Sequence, residues 1–237
     1  MTAAADEDDR TTTADDAGAA SRREQAVARS LDSARARAED RVQRFLDAAG
    51  ELLQEGTDGD FTVQQVVERS GQSLRSFYQY FGGKHELLLA LFEESISAAA
   101  ADLRRGLPDG DPVERLRSFV VGYYRLCRPV WRRSGGSTSA HVMVEFAQRL
   151  LTQFPTEASR AFTPLVELVD ELLSDAAASG DLREDLDRAM VTGTVLEVVM
   201  FQAFAATIGG FALSDDVERD AGALWTIVSH GFTAPAT

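Results

Sequence analysis

Between Ser73 and Leu88 the chain reads SLRSFYQYFGGKHELL, a run dense in groups that donate and accept hydrogen bonds. Arg75 offers a guanidinium, Ser76 a hydroxyl, Tyr78 a phenol and Gln79 an amide, while Lys84 is the single lysine of the chain. Phe77 and Phe81 stand four residues apart and supply one buried face. The polar groups therefore lie on the remaining faces of the same short helix. That set of groups suits the edges of bases in a major groove, and Lys84, at the positive start of the next helix, suits a phosphate. Arg75 has two readings, a bidentate contact to guanine or a solvated arginine on a phosphate. Tyr78 reads as a phosphate partner, because the two phenylalanines already provide the packing.

The surrounding elements are arranged to present that helix. Val42, Phe45, Leu46, Ala49, Leu52 and Leu53 recur at helical spacing, and Gly56 closes their helix. Thr62 with Gln65 three residues on forms a capping box that opens a second helix through Val63, Val66 and Val67. Ser70-Gly71 ends it, since glycine enters the left-handed region at little cost. Ser73 then caps a helix over Leu74 to Phe81, which Gly82-Gly83 stops. Two short helices about a glycine turn predict a helix-turn-helix.

The block FTVQQVVERSGQSLRSFYQYFGGKHELLLALF, residues 61–92, resembles the TetR family of bacterial transcriptional regulators. Thr62, Gly71, Ser73, the run FYQYF, and Lys84 followed by Leu87 and Leu88 carry the likeness, which with the preceding helix spans residues 41 to 92. The resemblance implies a homodimer with a three-helix DNA-binding unit and a divergent helical effector domain. The family's DNA contacts carry onto Thr62 and Gln64, onto Ser73, Arg75, Ser76, Tyr78, Gln79 and Tyr80, and onto Lys84. Tyr80 has an equal reading as a packing residue. Departures from the family pattern are Leu74 where a polar residue is common, Arg75 where glycine is frequent, and GGK where Pro-Ser-Lys is familiar; they bear on which bases are read.

The fold class expected is all-α: an N-terminal three-helix helix-turn-helix domain at 41–86 and a C-terminal ligand-binding and dimerisation domain at 87–237. Residues 1–20 are acidic, poor in large apolar groups and expected to be disordered. Residues 21–40 mix Arg, Ala and Glu and read as a helical lead-in or arm, its arginines offset by interspersed acids. Further helices are expected near 112–128, 139–154, 158–179, 185–208 and 214–232.

An effector cavity is expected among the first four of these, lined by Phe119, Tyr123, Trp131, His141, Met143, Phe146, Phe162, Met200, Phe201 and Phe204, with an acyl or steroid-like molecule as the expected class. Methionine and aromatic side chains suit an adaptable apolar site, although most such residues in any protein are ordinary core. The last helix carries Val217, Ala221, Leu224, Trp225 and Val228 as a stripe. With Val198 it is expected to form a four-helix dimer interface. Glu197, in an apolar run, reads as a buried carboxylate needing a partner.

The formal net charge of −14 excludes a protein that coats nucleic acid but not one that reads DNA with a small surface. Cys127 is the only cysteine, so no internal disulfide is available, and the reducing cytoplasm is the expected compartment. No membrane span, secretory leader, metal site or cofactor is expected. His141 and Glu145 share a helical face but lack a third ligand. With His85, His141 and His230 scattered and no nucleotide loop, no catalytic residue is expected. The expected function is a ligand-responsive repressor that binds a pseudo-palindromic operator as a dimer and is released by a small lipophilic effector. The alternative is a soluble helical ligand-binding or interaction protein that has lost DNA binding.

Overall fold

Capping chemistry cuts the chain into helices close to where the sequence places them. A computed structural model describes residues 8–55, 61–127, 138–208 and 216–233, and within these the side chains outside 8–24, 26, 138–145 and 203–208. The described helices are α1 (Asp8–Glu55), α2 (Val63–Ser70), α3 (Leu74–Tyr80), α4 (Lys84–Arg105), α5 (Pro112–Cys127), α6 (Thr138–Gln153), α7 (Pro155–Ala178), α8 (Arg188–Ile208) and α9 (Val217–Phe232). Among the described residues the only β feature is an isolated bridge between Leu182 and Thr233, which ties the segment before α8 to the end of α9. None of these helices is long and apolar enough to cross a membrane.

Two hydrophobic cores divide the work. The first gathers Phe45, Ala49 and Leu53 of α1, Val66 of α2, Phe77 of α3, Phe81, and Leu87, Leu88 and Phe92 of α4. It also takes in Phe146, Ala147 and Leu150 of α6 and Ala158 and Ala161 of α7. The second lies among the end of α4, α5, α7, α8 and α9, with Phe119, Tyr123, Leu165, Leu172, Val195, Val199 and Trp225. Ile96, Phe162 and Met200 pack against both cores and form the seam between them. The head's core thus extends past residue 86 along α4 and onto α6 and α7, so a boundary drawn at 86 cuts through a packed unit.

Four expectations need correction. Residues 8–20, expected to be disordered, continue α1 as helix. A helix already nucleated gains one hydrogen bond for each residue added, so it can run on through a stretch whose aspartates, threonines and glycine are poor helix formers. Ala221, Leu224 and Trp225, expected at the dimer interface, are buried in the subunit's own second core, with Val198, Val217 and Val228 packed against it. The stripe visible in the sequence is consumed within the chain. The outward residues of α8 are instead Met190, Thr194, Glu197 and Phe201, and those of α9 include Ala223, Thr226, Ile227 and His230. Glu197 is therefore exposed in the subunit, where water solvates its carboxylate. Phe201, expected in the effector cavity, is 71% exposed, because it shares this outward stripe at i, i+4, i+7 and i+11 spacing with the other three.

Candidate DNA-binding surface

The turn between α2 and α3 is built from three local devices. Thr62 opens α2: its hydroxyl accepts from the Gln65 amide at 3.3 Å while Gln65 Oε1 accepts from the Thr62 N–H at 2.8 Å. Gly71 closes α2 at φ 65°, and its N–H and that of Gln72 donate to the carbonyls of Glu68 and Val67. Ser73 opens α3 by accepting the Ser76 N–H on its hydroxyl at 3.0 Å.

The exit from α3 is as tightly made. Phe81 is extended and ends the helix. Gly83 gives α4 no side-chain cap, and the carboxylate of Glu86 instead accepts the Gly82 N–H at 2.7 Å. A Cβ on Gly82 would come within 2.8 Å of Glu86 Oε1, so a larger residue there would push the end of that glutamate aside. The sequence signal was present, as a glutamate three residues past Gly83, but the glycine pair read only as a stop.

Aromatic edges fix the roll of α3. The Phe77 ring meets Phe45 edge-on at 5.4 Å and Phe81 at 5.5 Å, and Phe45 meets Phe81 edge-on at 6.1 Å. With Phe77 and Phe81 inward, Arg75, Tyr78 and Gln79 point to solvent, Tyr78 being 57% exposed. Ser76 is half-buried. Tyr80 packs against the head's core, which supports its packing role. Leu74, unassigned from sequence, is exposed beside Arg75 and offers an apolar contact of the kind a thymine methyl accepts. Phase gave no signal for it: Leu74 shares the i, i+3, i+7 face of Phe77 and Phe81, and it is exposed because it is the first residue of α3.

Thr62, Gln64 and Lys84 come together although α3 separates them in sequence. Lys84 Nζ lies 4.4 Å from the centroid of the Phe61 ring, next to exposed Thr62 and Gln64 at the start of α2. The ammonium is thus held over an aromatic face beside a helix N-terminus, where an anion is favoured. Arg69, at the other end of α2, is committed elsewhere. It pairs with Glu55 at 2.7 Å and Glu51 at 3.2 Å, and these hydrogen bonds raise its pKa, so it staples α2 to α1.

One polar corner joins this head to the rest of the chain. His85, adjacent to Lys84, lies 2.8 Å by Nε2 from Glu157 of α7 and 3.4 Å by Nδ1 from Arg149 of α6. Its ring rests 4.6 Å from Phe154 and 5.7 Å from Phe146. Its two ring nitrogens face one acidic and one basic neighbour. The first turn of α4 is thus tied to the α6–α7 corner through His85.

The residues expected to line an effector cavity fall in different places. Phe119 and Tyr123 stack at 5.7 Å in the second core, Phe146 belongs to the first, and Phe162 and Met200 lie at the seam. Trp131 and the side chains of His141, Met143 and Phe204 lie outside the described residues. At the end of α5 the thiol of Cys127 faces Tyr123. Burial pushes it up to about 12, only partly offset by the tyrosine hydroxyl. The described open pocket, about 360 Å³ between Arg104, Leu107, Asp109 and Arg115, is polar and lies at the α4–α5 turn, away from the expected compartment.

The family model described as bacterial regulatory proteins, tetR family, matches residues 45–91, the span that contains all three devices and the aromatic face. That segment is the DNA-binding segment of the TetR family. Among curated TetR-family relatives, the fatty acid metabolism regulator protein of Bacillus subtilis is 21% identical over 168 residues, covering 67% of this chain and 81% of that protein. The HTH-type transcriptional regulator BetI of Brucella canis is 23% identical over 140 residues, covering 59% and 71%. The TetR-family repressor FadR of Thermus thermophilus, solved in complex with lauroyl-CoA, superposes with a TM-score of 0.62. It is 22% identical and covers 83% of this chain and 98% of that one. That likeness shows the two-domain all-α fold.

Proposed function

We propose that this chain is a dimeric TetR-family repressor that reads an inverted-repeat operator with α3 and is released by a long-chain acyl-CoA. The observation that carries the DNA reading is the outward face of α3. Arg75, Tyr78 and Gln79 project from a helix whose roll is locked by Phe77, and the sequence of α3 contains no acid. The acidic balance of the chain, which would favour a protein that has lost DNA binding, lies outside this helix. Thr62, Gln64, Ser73 and Lys84 sit at the helix ends, where phosphate contacts fix the register of the base-reading groups.

Two half-sites require two heads. The outward stripes of α8 and α9 leave Phe201 and Ile227 71% and 74% exposed in the subunit, and the same two helices of a second copy would cover them. The effector class follows the names of the relatives, a fatty acid metabolism regulator and a lauroyl-CoA complex, and agrees with the apolar inward faces of α5, α7 and α8. An acyl-CoA bound about 100-fold more tightly by the DNA-incompetent state supplies about 2.7 kcal/mol of bias. The seam at Phe162 and Met200 and the His85 corner are the routes by which that bias reaches α4.

The test is a fluorescence titration of a labelled duplex from the upstream region of the protein's own gene. Binding should weaken as salt rises, and lauroyl-CoA should release the duplex while CoA alone does not. Absence of salt-dependent binding would refute the DNA reading, and indifference to lauroyl-CoA would refute the effector.

A further inference from the structure

Among the described residues, Thr192 Oγ1 is the one buried side-chain polar atom without a hydrogen-bond partner. The side chain is 3% exposed. Other buried polar groups nearby are engaged: Tyr123 with the Cys127 thiol, and Ser229 with the Thr226 carbonyl at 3.4 Å. A helical threonine can return its hydroxyl to the carbonyl one turn back. Thr192 does not. Valine has nearly the same shape and would spare the cost of an unpaired hydroxyl at that position.

Its position gives the hydroxyl a use. Thr192 shares the inward face of α8 with Val195, Leu196 and Val199, which cluster with Phe119, Tyr123, Leu172 and Leu173 of α5 and α7. An ion pair between Arg188 and Asp170 at 2.8 Å pins the first turn of α8 to α7 and holds that face inward. We infer that Thr192 is the polar anchor of the effector site, donating its hydroxyl to one neutral acceptor on an otherwise apolar ligand. This rests on the acyl-CoA reading and sharpens it. The thioester carbonyl is such an acceptor, set where the apolar chain meets the CoA head. A free fatty acid is a poorer fit, because its carboxylate would meet no cation on the inward face of α8, where Thr192, Val195, Leu196 and Val199 are all uncharged.

The experiment is calorimetry on the full chain with two probes, lauroyl-CoA and the dodecyl thioether of CoA, which has a methylene in place of the carbonyl. Wild type should prefer lauroyl-CoA by about tenfold, the worth of one hydrogen bond to a neutral acceptor. Thr192→Val should bind the two probes equally, and Thr192→Ser should keep the preference. An undiminished preference in Thr192→Val overturns the inference while leaving the acyl-CoA reading in place. If wild type binds neither probe, the acyl-CoA reading itself fails and the inference with it. A second readout needs no ligand: Thr192→Val should melt above wild type, whereas a lower melting temperature would show that the hydroxyl is paired and end the argument.

Discussion

Arg75 and Tyr78 project from the same short helix but divide its labour differently. A guanidinium can meet both acceptors of a guanine edge, whereas a phenol on a phosphate contributes the same energy at every sequence. Arg75→Ala should therefore flatten base preference at one operator position, at a cost of about 1–3 kcal/mol. Tyr78→Ala should weaken all duplexes alike. Binding to a panel of single-base operator variants separates the two, and an unchanged preference in Arg75→Ala would reduce that arginine to a phosphate contact. Cys127 carries a different residue-scale prediction. Its thiol titrates near 12 in the folded chain against an ordinary value of 9.0. Between those values the folded chain holds a proton that the unfolded chain has lost, so stability is unaffected below about pH 9 and falls as pH rises toward 12. Replacing Cys127 with Ala should reduce that alkaline loss, as measured by denaturant melts across the window, and native protein at pH 8 should react slowly with iodoacetamide.

Helix ends were the most legible elements, because capping is local chemistry. The Thr62–Gln65 box, the Gly71 turn and the Ser73 cap each involve residues within a few positions, and each stands where the sequence put it. Gly71→Ala must place a Cβ at φ 65° and should destabilise the head by about 1 kcal/mol, read as a lower melting temperature; an unchanged melt would mean the turn relaxes freely. What the sequence could not show was tertiary. Val217, Ala221, Leu224, Trp225 and Val228 form a clean stripe, but a stripe records only that a face is covered, not whether its own subunit or a partner covers it. Ile227, one residue off that stripe, is the exposed one. The reach of α1 was illegible for a related reason: residues 8–20 have no apolar periodicity, and backbone propagation leaves no pattern in side chains. The seam at Ile96, Phe162 and Met200 joins residues from α4, α7 and α8, so no local window contains it.

At the scale of the molecule, a chain of net charge −14 binds a polyanion only if a small surface escapes the general acidity and two such surfaces act together. The second requirement places weight on the outward stripes of α8 and α9. The double substitution Phe201→Glu with Ile227→Glu should give folded monomers in sedimentation velocity, since both side chains are exposed in the subunit and their loss opens no core cavity. A tight dimer in that variant would place the interface elsewhere. Leu224→Asp, by contrast, should unfold the effector half, because it sets an unpaired charge in the second core. The first requirement, that α3 reads sequence, is tested most directly by selecting bound duplexes from a random library with wild type and with Arg75→Ala. Wild type should enrich an inverted repeat with half-sites on one face of the duplex, about one helical turn or a multiple apart, and Arg75→Ala should lose preference at one symmetric pair of positions. Enrichment of no repeat by the wild-type protein would contradict the account.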